Sequence, residues 1–554
     1  MQKRRSPLPI IICLVIIAAI IGIGGFFINR YTPTDTEMNK NEYYGLTSEE
    51  EAALILNGQV LEEKGLVVDG TVYISYSDVW NYLNSGFYWD AQAGQLMLTL
   101  PSGTLTWTPE DGSGAVILGS DGNPYISAEC VKENSDIDLE IYSEPNRVVA
   151  RTQWDGVRTA TVTETAQVRY RGGPRSEILT EVQAGDTVVF QEDLSDWCQV
   201  ATSDGYVGYV ESSTLTQNEE TGLPHETDEK FQYQKISLDH KIVLGWHYVG
   251  SQEGNSSLSE VIAGATGLNT ISPTWFSLAD GQGNLISYAD SSYVEQAHAA
   301  GLQVWGLLGD VDGSAVNTGS VLSSAEARAN IIQQLMQIAA ECGMDGINVD
   351  FESVREESAP QYLQFLKELC AAAHQQNLIV STDNFVPTYT GYYKRAEQAK
   401  TVDYIIIMGY DEHTASSEEA GSVASLPFVE QGIADTLAEV PAEQVINAVP
   451  FYTRGWVETF GSTVPESQTL SMDEADAFVT EHGIETYWDA SVGQNVGSVE
   501  TGDARYSIWL EDEQSIAEKV NLASEYNLAG VAAWRLGFER QSVWSVFEDY
   551  VNQG

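Results

Sequence analysis

Residues 343–354 read GMDGINVDFESV. Polar side chains at Asn348, Asp350 and Glu352 alternate with apolar Ile347, Val349 and Phe351. That is the period of a strand with one polar and one apolar face. Two carboxylates on one strand face lie within reach of each other. Like charges that close do not both stay ionised easily, so one pKa rises. A raised carboxyl pKa is what a general acid needs at neutral pH. On alternation alone, the same acids could instead cap the following helix or pair with a lysine. Asp345 is out of phase with the polar row. Together with Gly346 it reads as a structural position that fixes the strand entry.

A strand carrying such groups needs a scaffold. Apolar, strand-like runs occur at 241–250, 268–278, 302–308, 344–352, 377–385, 402–411, 445–453 and 528–537. Helical patterns lie between many of them. In 323–343, Ile331, Leu335 and Ile338 recur at helical spacing and a glycine closes the segment. Eight strands alternating with helices predict an α/β fold, a (β/α)8 TIM barrel over 234–554. A doubly wound sheet is the alternative. Working residues in a barrel sit at the C-terminal ends of strands, where Asn348, Asp350 and Glu352 would face the mouth. The stretch 454–506 reads as a loop-rich insertion before the last strand.

DGINVDFE resembles the D-G-x-D-x-D-x-E signature of glycoside hydrolase family 18, the chitinase-like enzymes. MGYD (408–411) is similar to the family's M-x-Y-D, and Trp534 in VAAWRLG to its sugar-stacking tryptophan. The resemblance runs in order from about 235 to 550 and implies substrate-assisted retaining hydrolysis. It makes Glu352 the proton donor, Asp350 the group that orients the substrate's acetamido N–H, and Tyr410 a donor to the acetamido oxygen. Asp411, Met408 and Asn348 would line the substrate pocket, and Trp534 would stack beneath the sugar. Trp246, Trp275, Trp305, Tyr389, Tyr452 and Trp509 either extend a glycan cleft or pack the barrel. Asn348 departs from the family's middle acid. An amide there can still hydrogen-bond Asp350 but holds no charge, so the upward push on the pKa of Asp350 should weaken and the pH profile shift. This asparagine resembles the spore-cortex and peptidoglycan glucosaminidase branch. That tilts the substrate from chitin toward peptidoglycan. No metal or cofactor is implied.

The rest of the chain fits an exported protein. With 80 acids against 27 bases, a net charge of −53, it is unsuited to nucleic acid. Five cysteines show no zinc spacing. Cys342 and Cys370 are expected to be buried free thiols. Residues 1–30 hold Lys3, Arg4 and Arg5 before an apolar run at 7–28. They read as a basic cytoplasmic tip and a transmembrane anchor, with a cleaved signal peptide as the rival. A polar spacer (31–45) follows. In 46–152, VDGTVYIS (68–75) is echoed by SDGNPYIS (120–127), and this small α+β repeat module resembles the N-terminal module of copper amine oxidases. Residues 158–216 resemble a bacterial SH3-like barrel, a candidate for holding cell-wall peptide. In it Trp197 is either core or a ligand platform. An acidic linker (217–233) leads to the barrel. The expectation is a single-pass membrane enzyme with its catalytic domain on the cell-wall side, acting on an N-acetylglucosamine polysaccharide, either peptidoglycan or chitooligosaccharide. The alternative is a non-hydrolytic glycan-binding protein on the same fold.

Overall fold

The computed structural model describes Ile17, residues 32–310 and residues 316–553. Apart from Ile17, the expected membrane span lies outside the described residues. Among the described residues no helix is long and apolar enough to cross a membrane. The chain forms two compact units, Met1–Trp89 with Trp107–Phe231, and Asp90–Thr106 with Gln232–Gly554.

The first unit contains two seven-stranded sheets. In one, the repeated segments pair with each other. Thr71–Ser75 runs antiparallel to Pro124–Ser127, with Ile74 opposite Ile126. Each strand ends in a serine that caps a short helix. The Ser75 hydroxyl accepts the Asp78 N–H at 3.0 Å, and the Ser127 hydroxyl accepts the Cys130 N–H at 3.1 Å. The repeat is thus a duplicated strand–helix unit. The other sheet spans residues 159–217 and closes on Val162, Val168, Phe190, Val200 and Val210. Trp197 is half-buried while its neighbour Cys198 takes the core position. The indole instead lies against Gly172, where a Cβ would stand 3.3 Å away.

The second unit is a closed barrel of eight parallel strands. These are β1 (Ile242–His247), β2 (Thr270–Pro273), β3 (Gln303–Gly309), β4 (Gly346–Asp350), β5 (Ile379–Phe385), β6 (Tyr404–Met408), β7 (Val445–Pro450) and β8 (Gly530–Trp534). Closure is visible in register: Ile242 of β1 pairs with Gly530 of β8, and Leu244 with Thr270 of β2. All eight strands fall where the sequence places them. The helix Ala325–Cys342 starts on the Ser324 hydroxyl and stops at Gly343 in a left-handed conformation, φ 75°. It buries Ile331 and Leu335. Gly346 is a packing requirement. A Cβ there would meet the Ile379 carbonyl oxygen at 2.8 Å and Trp305 at 2.9 Å.

The insertion between β7 and β8 is more regular than its loop-rich sequence suggests. Tyr452–Thr459, Glu466–Ser471, Thr486–Asp489, Gln494–Thr501 and Ala504–Leu510 form a five-stranded antiparallel sheet, backed by the helix Met472–His482. Strand Gln95–Leu100 also belongs to this unit, where the Gln364 amide donates to the Thr99 hydroxyl at 2.8 Å. Cys342 and Cys370 are free thiols, but only Cys370 is fully buried.

Candidate active site

The polar row of β4 lies at the barrel mouth as its parity dictates. Ile347, Val349 and Phe351 turn outward and are buried, with the Phe351 ring 5.7 Å from Phe365 on the helix Ala359–Ala373. Asn348 is fully buried, and its side chain is saturated by protein. It donates to Asp383 Oδ1 at 2.8 Å and to the Ser381 hydroxyl at 3.0 Å. It accepts from Trp246 Nε1 at 2.9 Å and from the Ser272 hydroxyl at 3.1 Å. Two donors and two lone pairs are all used. This corrects the expectation that Asn348 would bond Asp350 or line the substrate pocket: the amide lies beneath the mouth and its partner is Asp383.

Asp383 is the residue the sequence reading missed. β4 and β5 run parallel, with Asn348 beside Ser381 and Val349 beside Thr382. One residue further, that register sets Asp350 beside Asp383. Asp350 Oδ1 and Asp383 Oδ2 are both buried without a hydrogen-bond partner. Burial pushes both carboxyls well above the usual range; on Asp350 the charges of Asp383 and then Glu352 add to it, while on Asp383 the Asn348 hydrogen bond opposes it and Glu352 adds to it. Two adjacent buried carboxyls resist ionising together.

Glu352 stands just past the end of β4, half-buried. Burial first, then the charges of Asp310 and Asp411, push its carboxyl up to about 7. Asp310 follows β3 and is a second residue missed from sequence. It accepts the Glu352 N–H at 2.9 Å, the Ser353 N–H at 3.2 Å and the Thr318 hydroxyl at 2.6 Å. It therefore both fixes the turn that carries Glu352 and supplies charge beside it.

The MGYD segment closes the site from β6. Met408 is buried as barrel wall. Gly409 lies so close to β7 that a Cβ would meet Asn447 Oδ1 at 2.8 Å. Tyr410 is buried, which raises its pKa, yet its hydroxyl has no hydrogen-bond partner among the described residues. Asp411 adopts a left-handed conformation, φ 61°, and accepts the Tyr452 hydroxyl. Trp534 ends β8 half-buried, its ring 6.0 Å from Trp246. Of the other aromatics, Trp246, Trp275 and Trp305 are buried packing and Tyr452 buttresses Asp411, while Tyr389 is half exposed. Asp345 sits at the opposite end of β4. It accepts the Val304 N–H and faces His298, both at 2.8 Å.

The two missed acids left faint signals. Asp310 ends the apolar run LQVWGLLGD, and Asp383 interrupts NLIVSTDNF. In each case an acid stands at the C-terminal end of a buried strand. The arrangement as a whole offers a carboxyl raised to about 7, a pair of neighbouring buried carboxyls, a free phenol and a half-buried indole around one opening.

The sequence matches the family model of the glycosyl hydrolases family 18 over residues 206–539 and that of the bacterial SH3 domain over residues 164–216. Among curated proteins it is similar to the uncharacterized glycosylase YvbX of Bacillus subtilis (strain 168), 26% identical over 294 residues, which cover 50% of this chain and 83% of that one. It is also similar to the cortical fragment-lytic enzyme of the same organism, 24% identical over 240 residues, covering 42% of this chain and 56% of the relative. The fold is shared with the crystal structure of a chitinase from Chromobacterium violaceum ATCC 12472, at 21% identity and a TM-score of 0.50, covering 57% of this chain and 100% of the other.

Proposed function

The chain belongs to the glycosyl hydrolases of family 18, and from that premise we propose that it is an exported, membrane-anchored enzyme that cleaves β-1,4 bonds next to N-acetylglucosamine in peptidoglycan, using the substrate's own acetamido group as nucleophile. The observation that carries this reading is Glu352. Its carboxyl is raised to about 7, so it is substantially protonated at neutral pH and poised to act as a general acid.

In the first step the acetamido oxygen attacks the anomeric carbon while the glycosidic C–O bond breaks. The Glu352 proton goes to the departing oxygen. Asp350 accepts the acetamido N–H, and its own proton rests on Asp383, so that the pair stays singly charged. The Tyr410 hydroxyl, free of protein partners, donates to the acetamido oxygen as it forms the cyclic oxazolinium. Water then opens that ring at the anomeric carbon and returns a proton to Glu352, with retention of configuration. Trp534 presents an apolar face to the sugar's C–H surface. Asp411, held by Tyr452, completes the wall and adds charge beside Glu352. The SH3 domain would hold wall peptide and the apolar run at 7–28 would anchor the chain, which together keep the barrel at its polymer.

The test is release of reducing ends from peptidoglycan glycan strands and from chitooligosaccharides by the full-length protein. Glu352→Gln should lower kcat by about 10²–10⁴-fold or more. Equal inertness of wild type and variant on both substrates refutes hydrolysis and leaves a binding protein.

A further inference from the structure

The mouth is crowded with acids: Asp310, Asp350, Glu352, Asp383 and Asp411 surround it, in a chain of net charge −53. A glycan that itself carries carboxylates would be repelled by this field. One rim residue has the opposite character.

Arg535 follows Trp534 directly. Its guanidinium carbon lies 4.1 Å from the centre of the Phe538 ring and 5.1 Å from that of Tyr248, which comes directly after the last residue of β1. Two aromatic rings therefore grip the guanidinium and fix its place. It is half-buried. Among the described residues its side chain has neither an ion-pair partner nor a hydrogen-bond acceptor. The acids nearest in sequence are engaged elsewhere. Glu539 accepts the Gly537 N–H at 2.7 Å and the Trp544 indole N–H at 3.3 Å. Asp476 and Glu513 pair with Arg540, at 2.5 and 3.5 Å. In a protein with three acids for each base, a held guanidinium with every N–H unused is a vacant anion receptor, because its planar fork matches a carboxylate.

We propose that Arg535 is a specificity-determining residue that binds a carboxylate of the glycan, the free lactyl carboxylate of muramic acid residues whose stem peptide has been removed, a group that N-acetylglucosamine lacks. This rests on the reading of the chain as a family 18 hydrolase and narrows its substrate to an anionic, muramoyl-containing polymer. The position suits the role. Arg535 is adjacent to the residue proposed to floor the sugar, on the rim between β8 and β1. A plug serving only to pack Tyr248 against Phe538 would instead act on stability and be indifferent to the charge of the substrate.

The experiment compares KM of the full-length protein on solubilised glycan strands stripped of stem peptides, on the same strands after their lactyl carboxyls are amidated, and on chitohexaose. Arg535→Gln should raise KM about tenfold on the unamidated strands and leave the other two within about twofold, with kcat little changed. Arg535→Lys should recover part of the loss, and salt should narrow the gap between wild type and variant. An equal rise on all three substrates, or no rise on any, overturns the proposal. The same ratio is read as binding affinity in a Glu352→Gln background, so it is decided even if turnover is absent. Wild type inert on all three substrates, with that binding ratio intact, refutes the hydrolytic reading and not this one.

Discussion

Asp310 touches the Glu352 backbone and charges its carboxyl, and the two effects can be separated. Asp310→Asn keeps an oxygen to accept the Glu352 and Ser353 N–H groups, and its amide can donate to the Thr318 hydroxyl. The turn is preserved and the negative charge is lost. Between the ordinary 4.5 of Glu352 and its value of about 7 lie about 2.5 pH units, or roughly 3.4 kcal/mol. Burial is the largest cause, and Asp310 comes ahead of Asp411. The share of Asp310 is therefore less than half, at most about one pH unit or roughly 1.4 kcal/mol. Glu352 must be protonated to donate, so kcat/KM falls as pH rises through its pKa. In the wild type that limb should centre at about 7. In Asp310→Asn it should centre lower, by up to about one unit.

The assay is kcat/KM on a chitooligosaccharide across roughly pH 4–9, with Tm followed in parallel. The variant should be slower above both midpoints, by up to about tenfold, and equal to wild type, within about twofold, well below them. An unmoved limb in a protein of unchanged Tm would show that the charge of Asp310 does not set Glu352. A limb moved upward would contradict the charge argument outright.

Two further outcomes follow from the same geometry. Asp383→Asn should lower kcat by about 10–100-fold, since Asp350 loses the neighbour that takes its proton, and it should raise Tm at pH 8. The sign follows from the raised carboxyl: the folded state holds its proton above the unfolded pKa, so wild type loses stability as pH climbs through that window, and the asparagine does not. A Tm gain of a few degrees that closes toward pH 4 is the expected pattern, and an equal or lower Tm at pH 8 goes against it. Gly346→Ala should cost about 1–3 kcal/mol from overpacking against Trp305 and the Ile379 carbonyl, read as a lower denaturant midpoint with unchanged slope.

The barrel was legible because its strands are continuous apolar runs and its helices carry a 3.6-residue period. The polar row of β4 was legible because alternation fixes which side chains share a face. What could not be read were relations between strands. Asp310 lies 42 residues before Glu352, and nothing local marks the loop that brings them together. Trp246, Trp275 and Trp305 look like cleft aromatics from composition alone, yet each is buried with its indole N–H satisfied by Asn348, Asn255 and Gln303. Trp197 was ambiguous for the converse reason: only the sheet's closure decides that Cys198, one residue on, owns the inward parity. The insertion was read as loops because its turns at Gly461 and Gly502, with φ of 93° and 65°, are more conspicuous than the short strands between them.

Asn348 shows how a departure from a motif misleads when it is read along one strand. In the sequence it removes an acid next to Asp350, so the upward push on Asp350 should weaken. In the barrel the amide donates to Asp383 and Ser381 and accepts from Trp246 and Ser272. A carboxylate at 348 could make neither donation and would confront Asp383 with a third buried negative charge. The amide is what permits Asp383, and Asp383 stands beside Asp350 in the parallel register, with a buried oxygen unpaired on each. The charge has moved one strand sideways rather than disappeared. Proton sharing then runs between β4 and β5 instead of along β4. The pH profile then owes its shape to the Asp350–Asp383 pair and to Glu352 with Asp310, and Asn348 acts on it through Asp383, which it holds in place and whose raised carboxyl it pulls back down by its hydrogen bond.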